Sequence, residues 1–375
     1  MNTLGVGNAG NLFVRAKESI DVVGASTDGT RSSLRAEVDQ GATGTGGNII
    51  LETGRLNVRA GGQVSVRTTG TGDAGTLRIL VDDLTEVAGV SSGGQFKSTI
   101  SAAAREGSTG FGGSLNLETG QLNIRDGGVI TSSSEGQKPA GNINIVVRET
   151  LEANNGDIST RSIQSGGGNM NITASNIFLR GDSNITTDSG VGNGGNITLT
   201  ADSIVALNDS DILAFARDGK GGNITLNTKA FFGQNYRPAP LGTDPRTLDG
   251  NDRVDINASG TISGIISLPD VSFIQNGLNQ LPKSAIDTEK LVSQTCIVRK
   301  DKPQGTFYIL GKTNLPQRPG DLIPSNYSTQ ESTTQTANKP WQKGDPIVEP
   351  TGFYKLANGR LVMSRECDRS ADPQP

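Results

Sequence analysis

Histidine is absent from all 375 residues. That removes the Ser-His-Asp and Cys-His nucleophile arrangements and every zinc site built on imidazole. Only two cysteines occur, Cys296 and Cys367, both in the last quarter of the chain. Two thiolates alone do not complete a structural zinc site. Aromatic residues make up 4% of the sequence, too few for an ordinary layered core, which large rings dominate. No run of 18 apolar residues is present, so nothing reads as a membrane-spanning helix. A net charge of −4 leaves no electrostatic footprint for nucleic acid. The opening residues, Met1-Asn2-Thr3-Leu4-Gly5, have neither a basic start nor an apolar run and do not read as a signal peptide.

What is abundant is glycine, with 51 residues, roughly double the usual share of about 7%. One pattern explains most of it. A Gly is followed by a polar residue and then by alternating apolar residues: Gly10-Asn11-Leu12-Phe13-Val14, Gly47-Asn48-Ile49-Ile50-Leu51, Gly75-Thr76-Leu77-Arg78-Ile79 and Gly113-Ser114-Leu115-Asn116-Leu117. It continues as Gly141-Asn142-Ile143-Asn144-Ile145, Gly168-Asn169-Met170-Asn171-Ile172, Gly195-Asn196-Ile197-Thr198-Leu199 and Gly222-Asn223-Ile224-Thr225-Leu226. The glycines are 37, 28, 38, 28, 27, 27 and 27 residues apart. A disordered chain has no reason to keep such register.

The period of two within each copy predicts a strand with one buried face. A second apolar site follows nine or ten residues after the Gly, from Ile20 and Leu56 to Ile204 and Phe231. A third follows at seventeen in five copies: Val64, Ile130, Ile158, Ile185 and Ile212. Each unit therefore reads as three short strands joined by three turns. One such unit cannot bury its apolar side alone, and stacking units buries a continuous core. The expected fold is all-β: a parallel β-helix over residues 5–233, with eight coils of about 27 residues. A right-handed wind is the default for parallel crossovers, and eight coils at a strand spacing of about 4.8 Å make a rod of roughly 40 Å.

A longer period of 66 overlies the first: Leu51–Arg59 returns as Leu117–Arg125. The two wide spacings carry about ten extra residues each, in Gly24–Arg31 and Gly89–Lys97, so these loops should sit on one side of the rod, where insertions often mark a binding face.

Several motifs look chemical. Gly5–Gly10 and Gly70–Gly75 spell G-x-G-x-x-G, but a dinucleotide site needs a strand before the motif and a helix after it. Here strands follow, and the glycines read as turn residues able to take positive φ. Stacking places Asn142, Asn169, Asn196 and Asn223 in one column, which predicts a ladder of side-chain amides. The N-x-T triplets at Asn171, Asn184, Asn196 and Asn223 fall out of the same repeat. Asp182 and Asp209 share a register in adjacent coils, and Asp157 and Asp211 share the next outward position. Aspartate favours turns because it bonds its own backbone. Stacked pairs can also hold a cation or perform acid–base work, which makes Asp182 and Asp209 the metal candidates. No Lys or Arg is expected at that corner. Arg59, Arg125 and Arg180 read as solvated charge. No catalytic or cofactor-binding residue emerges.

The 27-residue register fades after Phe232. Residues 234–300 read as a proline-bearing loop, a last partial coil (Val254–Ala258 and Thr261–Ile266) and a cap with a short helix at Thr288–Gln294. Residues 301–345 read as an extension and flexible linker, rich in Pro, Ser, Thr and Gln. Residues 346–375 read as a hairpin turning at Asn358-Gly359. Cys296 and Cys367 flank the linker and would pair in an oxidising compartment.

The blocks Gly7-Asn8-Ala9-Gly10-Asn11-Leu12 and Glu52-Thr53-Gly54-Arg55-Leu56-Asn57-Val58-Arg59 resemble the repeats of cyanobacterial two-partner-secretion exoproteins, the filamentous-haemagglutinin-like group. Leu281-Pro282, Thr295-Cys296, Gly311–Pro316 and Ile347-Val348-Glu349 resemble that family's closing segment. The resemblance implies a secreted or outer-membrane-associated protein with a structural or adhesive role. It further implies an outer-membrane transporter as partner, through an N-terminal domain that this sequence does not contain, and surface carbohydrate or other cell-surface ligands. Two alternatives remain: a carbohydrate-active β-helix enzyme, and an inactive fragment of a longer exoprotein. The first coil opens in full register at about Gly5, which predicts either further coils before it or association through it.

Overall fold

The computed structural model describes residues 1–26, 29–240, 243–269, 296–299, 331–335, 350, 352–356, 359 and 361–364. Two compact units divide at residues 272 and 273.

The first unit is a β-solenoid with three faces, and every pairing between named strands in it is parallel. Each coil contributes a strand to the first face, turns a corner to the second, then turns again to the third. In the middle coils the first two are separate strands, as in Ile143–Val147 and Thr150–Asn154. Elsewhere one long strand bends around the corner, as in Leu12–Val23, Ile49–Arg59, Leu77–Ala88 and Ile197–Ala206. Seven coils each reach all three faces within 28 residues, or within 38 where an insertion intervenes. The eighth begins with Ile224–Gly233 and reaches the third face only at Ile256–Asn257. Ile266–Ser267 then pairs with Ile224 and Thr225 on the first face. The partial coil expected after residue 253 is these two short strands.

Register is set by the alternation of apolar residues. Ile143, Met170, Ile197 and Ile224 stand in one column of directly paired positions, all fully buried. A slip of one residue would turn this column outward. On the third face the column runs Leu34, Val64, Ile100, Ile130, Ile158, Ile185, Ile212 and Ile256. Leu34, Ile100 and Ile256 lie 24, 25 and 34 residues after their coil's glycine rather than 17. Those are the three copies in which the sequence shows no Val or Ile at seventeen, because each has an insertion before the third face. Removing one such side chain from water contributes about 1.5–3 kcal/mol.

The glycines of the repeat serve a purpose other than the expected one. Gly10, Gly47, Gly75 and their successors do not have positive φ. From Gly47 onward they are glycine because coils approach too closely for a side chain, whereas a Cβ on Gly10 would meet only the Met1 side chain. A Cβ on Gly195 would overlap the carbonyl oxygen of Gly168 one coil below, and a Cβ on Gly222 would overlap that of Gly195.

The second unit contains a small sheet of Cys296–Arg299, Glu331–Gln335, Gly352–Leu356 and Leu361–Ser364. The last two strands are antiparallel, and Gly359 (φ 81°) donates its N–H to Leu356 O at 2.8 Å, as the hairpin reading requires. Glu331–Gln335 is a strand where composition alone reads as linker. The helix at 288–294 and the Cys296–Cys367 pairing lie outside the described residues.

Candidate functional site

The asparagine column is present, but its bonds differ from the expected amide-to-amide ladder. Each Asn Oδ1 accepts the backbone N–H one coil up: Asn142 from Asn169 at 2.9 Å, Asn169 from Asn196 at 2.9 Å, Asn196 from Asn223 at 2.8 Å and Asn223 from Ile265 at 2.9 Å. The side chain stands in for a backbone acceptor at the corner where the strand ladder begins. A true amide ladder lies two residues further on. Asn144 donates to Asn116 Oδ1 at 3.0 Å, and Asn171 donates to Asn144 Oδ1 at 3.1 Å. Its signal was legible: an Asn three residues after the glycine in three successive coils.

The corner between the second and third faces is where the molecule departs from regularity. All three insertions leave there. Residues 24–32 follow Val23, residues 89–98 follow Ala88 and residues 234–255 follow Gly233. The first two lie against one another as expected. Arg31 donates to Gly61 O at 2.7 Å and Lys97 O at 2.5 Å, and its guanidinium lies 5.3 Å from the Phe96 ring centre.

In the coils between these insertions the corner is a tight turn. Asp182 and Asp209 both take the left-handed conformation there, at φ 61°, so the turn reading holds. Next to them runs a second side-chain-to-backbone column. Asp157 Oδ1 accepts Asn184 N at 3.1 Å, Asn184 Oδ1 accepts Asp211 N at 2.8 Å and Asp211 Oδ1 accepts Asp255 N at 2.7 Å. Burial pushes the Asp211 carboxyl up to about 8. The Asp255 N–H opposes that rise, and the charges of Asp255, Asp209 and Asp249 add to it. Burial likewise raises Asp157, against the Asn184 N–H and Lys97.

The third insertion completes the cluster. Asp209 accepts the backbone N–H groups of Gly250 at 2.6 Å, Asn251 at 3.2 Å and Arg253 at 3.3 Å. Held this way, the insertion brings Asp249 to the turn. Carboxylate oxygens of Asp182, Asp209 and Asp249 all lie within 4.8 Å of one another. Burial first, and then Asp182 and Asp209, raise the Asp249 carboxyl. Asp249 was not legible as a partner, because it comes from a segment with no register.

Basic residues do reach this corner, contrary to the expectation from the repeat. Lys97 Nζ lies 4.0 Å from Asp157, and Arg253 lies 2.7 Å from Asp255. Both come from insertions, which the repeat register does not place. Arg59, Arg125 and Arg180 are not simply solvated. Arg59 and Arg125 bracket Glu86, whose side chain is 8% exposed, and Arg180 pairs with Glu152.

Beside the cluster, the insertion walls off the outer surface of the third face. The result is a groove of about 430 Å³, lined among others by Arg161, Thr186, Asp188, Phe215, Arg217 and Asp249. Arg161 lies 3.5 Å from Asp188. The groove combines an aromatic ring, hydroxyls and charges of both signs, a mixture suited to a polar ligand.

Among the described residues no helix is long and apolar enough to cross a membrane. The chain matches no family model, no curated protein and no solved structure.

Proposed function

We propose that the chain is a structural and adhesive segment of a secreted or surface-displayed exoprotein of the filamentous-haemagglutinin-like kind, acting without catalysis. The observation that carries this reading is a division of labour within each coil. Residues that recur in register, the close-approach glycines, the inward Ile and Leu and the corner Asn, are devoted to stacking. The residues that break register, in three insertions, all leave at one corner. Such a plan makes a stiff support with one decorated edge, as an adhesin needs. The repeat and tail motifs supply the family, and with it an outer-membrane transporter as export partner. Surface carbohydrate is the ligand class that the groove's mixture of ring, hydroxyl and charge favours.

The second reading, a carbohydrate-active enzyme, draws on the same groove, because carboxylates stand at its edge. A glycan array followed by a sugar-release assay separates the two. The adhesive reading expects glycan binding that weakens at least tenfold in Phe215→Ala, with no release of reducing or unsaturated sugar. Release of either product sinks it in favour of the enzyme. Absence of glycan binding removes carbohydrate as the ligand.

A further inference from the structure

We infer that Asp182, Asp209 and Asp249 hold one calcium ion at the corner between the second and third faces. The three carboxylates come from three stretches of chain: the turn of the sixth coil, the turn of the seventh and the last insertion. Their oxygens lie within 4.8 Å of one another. Calcium binds oxygen at about 2.3–2.6 Å, so two oxygens on one ion are at most about 5 Å apart. Oxygens no more than 4.8 Å apart can share one calcium ion, and calcium accepts the irregular carboxylate geometry that magnesium, which demands a near-ideal octahedron, does not. All donors are carboxylate oxygens, which hard cations prefer.

The ion pairs among the described residues leave this trio uncompensated. Lys97 faces Asp157 and Arg253 faces Asp255. Among the described residues no Lys or Arg side chain pairs with Asp182, Asp209 or Asp249. Three backbone N–H groups hold Asp209, but three carboxylates this close still repel one another, and a cation between them would relieve that.

A second observation points into the same place. Asp211 is fully buried, and its Oδ2 has no hydrogen-bond partner. Its direction follows from the register. Asn184 occupies the same position one coil below, paired in the same column. The Asn184 side-chain nitrogen donates to Asp182 Oδ1, two residues earlier, at 3.2 Å. The equivalent atom of Asp211 is Oδ2, and the residue two earlier is Asp209. An unpartnered buried oxygen therefore faces the back of the cluster. Buried polar atoms without a partner are rare and call for an ion or water.

The ion would tie the sixth coil, the seventh coil and the insertion together, and it would sit at the rim of the groove that Asp249 also lines. The full chain, stripped with chelator, is titrated with CaCl₂ by calorimetry and melted with and without 2 mM calcium, roughly twice the upper end of the range for extracellular calcium modules, about 1 mM. Expected are one site per chain with a dissociation constant at or below about 1 mM and a higher melting temperature in calcium. Asp182→Asn and Asp249→Asn, both at exposed positions, should weaken binding at least tenfold and abolish the thermal shift. Asp209 is left unchanged because it shapes the insertion. No heat and no shift in the wild-type chain overturns the proposal. An equal shift in both variants overturns it too, as does an equal response to MgCl₂, which would mark general screening of negative charge. If either variant folds poorly, the wild-type titration alone decides.

Discussion

Asn196 Oδ1 accepts the backbone N–H of Asn223 at 2.8 Å, across 27 residues and one coil. Both residues are at a corner open to water, so the bond is worth the ordinary net amount of about 0.5–1.5 kcal/mol. Asn196→Ala should lower stability by about that much and leave the secondary structure intact. Asn196→Asp keeps an acceptor and should lose less. Denaturant unfolding followed by circular dichroism measures both. An unchanged midpoint in the alanine variant would show that water replaces the side chain without cost.

The glycine column makes a sharper contrast. In Gly195→Ala the new methyl meets the Gly168 carbonyl, which is backbone and cannot rotate away. The coils must separate locally, at about 1–3 kcal/mol. Gly5→Ala meets nothing within 4 Å and should change the melting temperature little. If both substitutions cost the same, close approach is not why these positions are glycine.

Arg31 ties the first insertion to the second through Gly61, Gly62, Lys97 and the Phe96 ring. Arg31→Ala should speed proteolytic cutting within residues 89–97 several-fold while shifting the global melt by only a few degrees. Lysine lacks the planar fork that reaches several carbonyls at once, so Arg31→Lys should not restore protection. Equal cutting in all three proteins would mean that the loops hold themselves.

Among the described residues Leu12–Val23 pairs only with Ile49–Arg59, which leaves its other edge open in residues 1–375. The Leu12 N–H points to Asn48 O in the second coil. By the alternation of a parallel ladder, the N–H groups of Phe13 and Arg15 point the other way. Edges of this kind invite association. Residues 1–375 should therefore associate with rising concentration in sedimentation velocity. Arg15→Pro, which removes an N–H without breaking the pairing to the second coil, should suppress it. A wild-type chain that stays monomeric at high concentration disproves the expectation.

The solenoid was legible in the sequence because its constraint is applied repeatedly. Leu12, Ile49, Leu77 and Leu115 face the same column, so one pattern recurs until it cannot be chance. The corner aspartates were visible for the same reason, as Asp182 and Asp209 share a register. What stayed hidden belongs to segments that occur once. Asp249, Lys97 and Arg253 reach the corner through insertions whose paths are set by single bonds, such as Asp209 to the Gly250 N–H. The role of the glycines was misread because a letter cannot distinguish a turn that needs positive φ from a coil that needs room. Only the placement of Gly195 over Gly168 separates the two.

The three insertions leave at one corner, and each coil rises by a single strand spacing of about 4.8 Å. Position along the chain is thereby converted into height along an axis. Gain or loss of one 27-residue block would raise or lower everything beyond it by one step, with no core residue meeting a new kind of neighbour. The projecting loops behave as marks on a scale whose graduations are coils. A lineage could lengthen, shorten or respace what the edge presents by copying blocks, while the buried columns stay as they are.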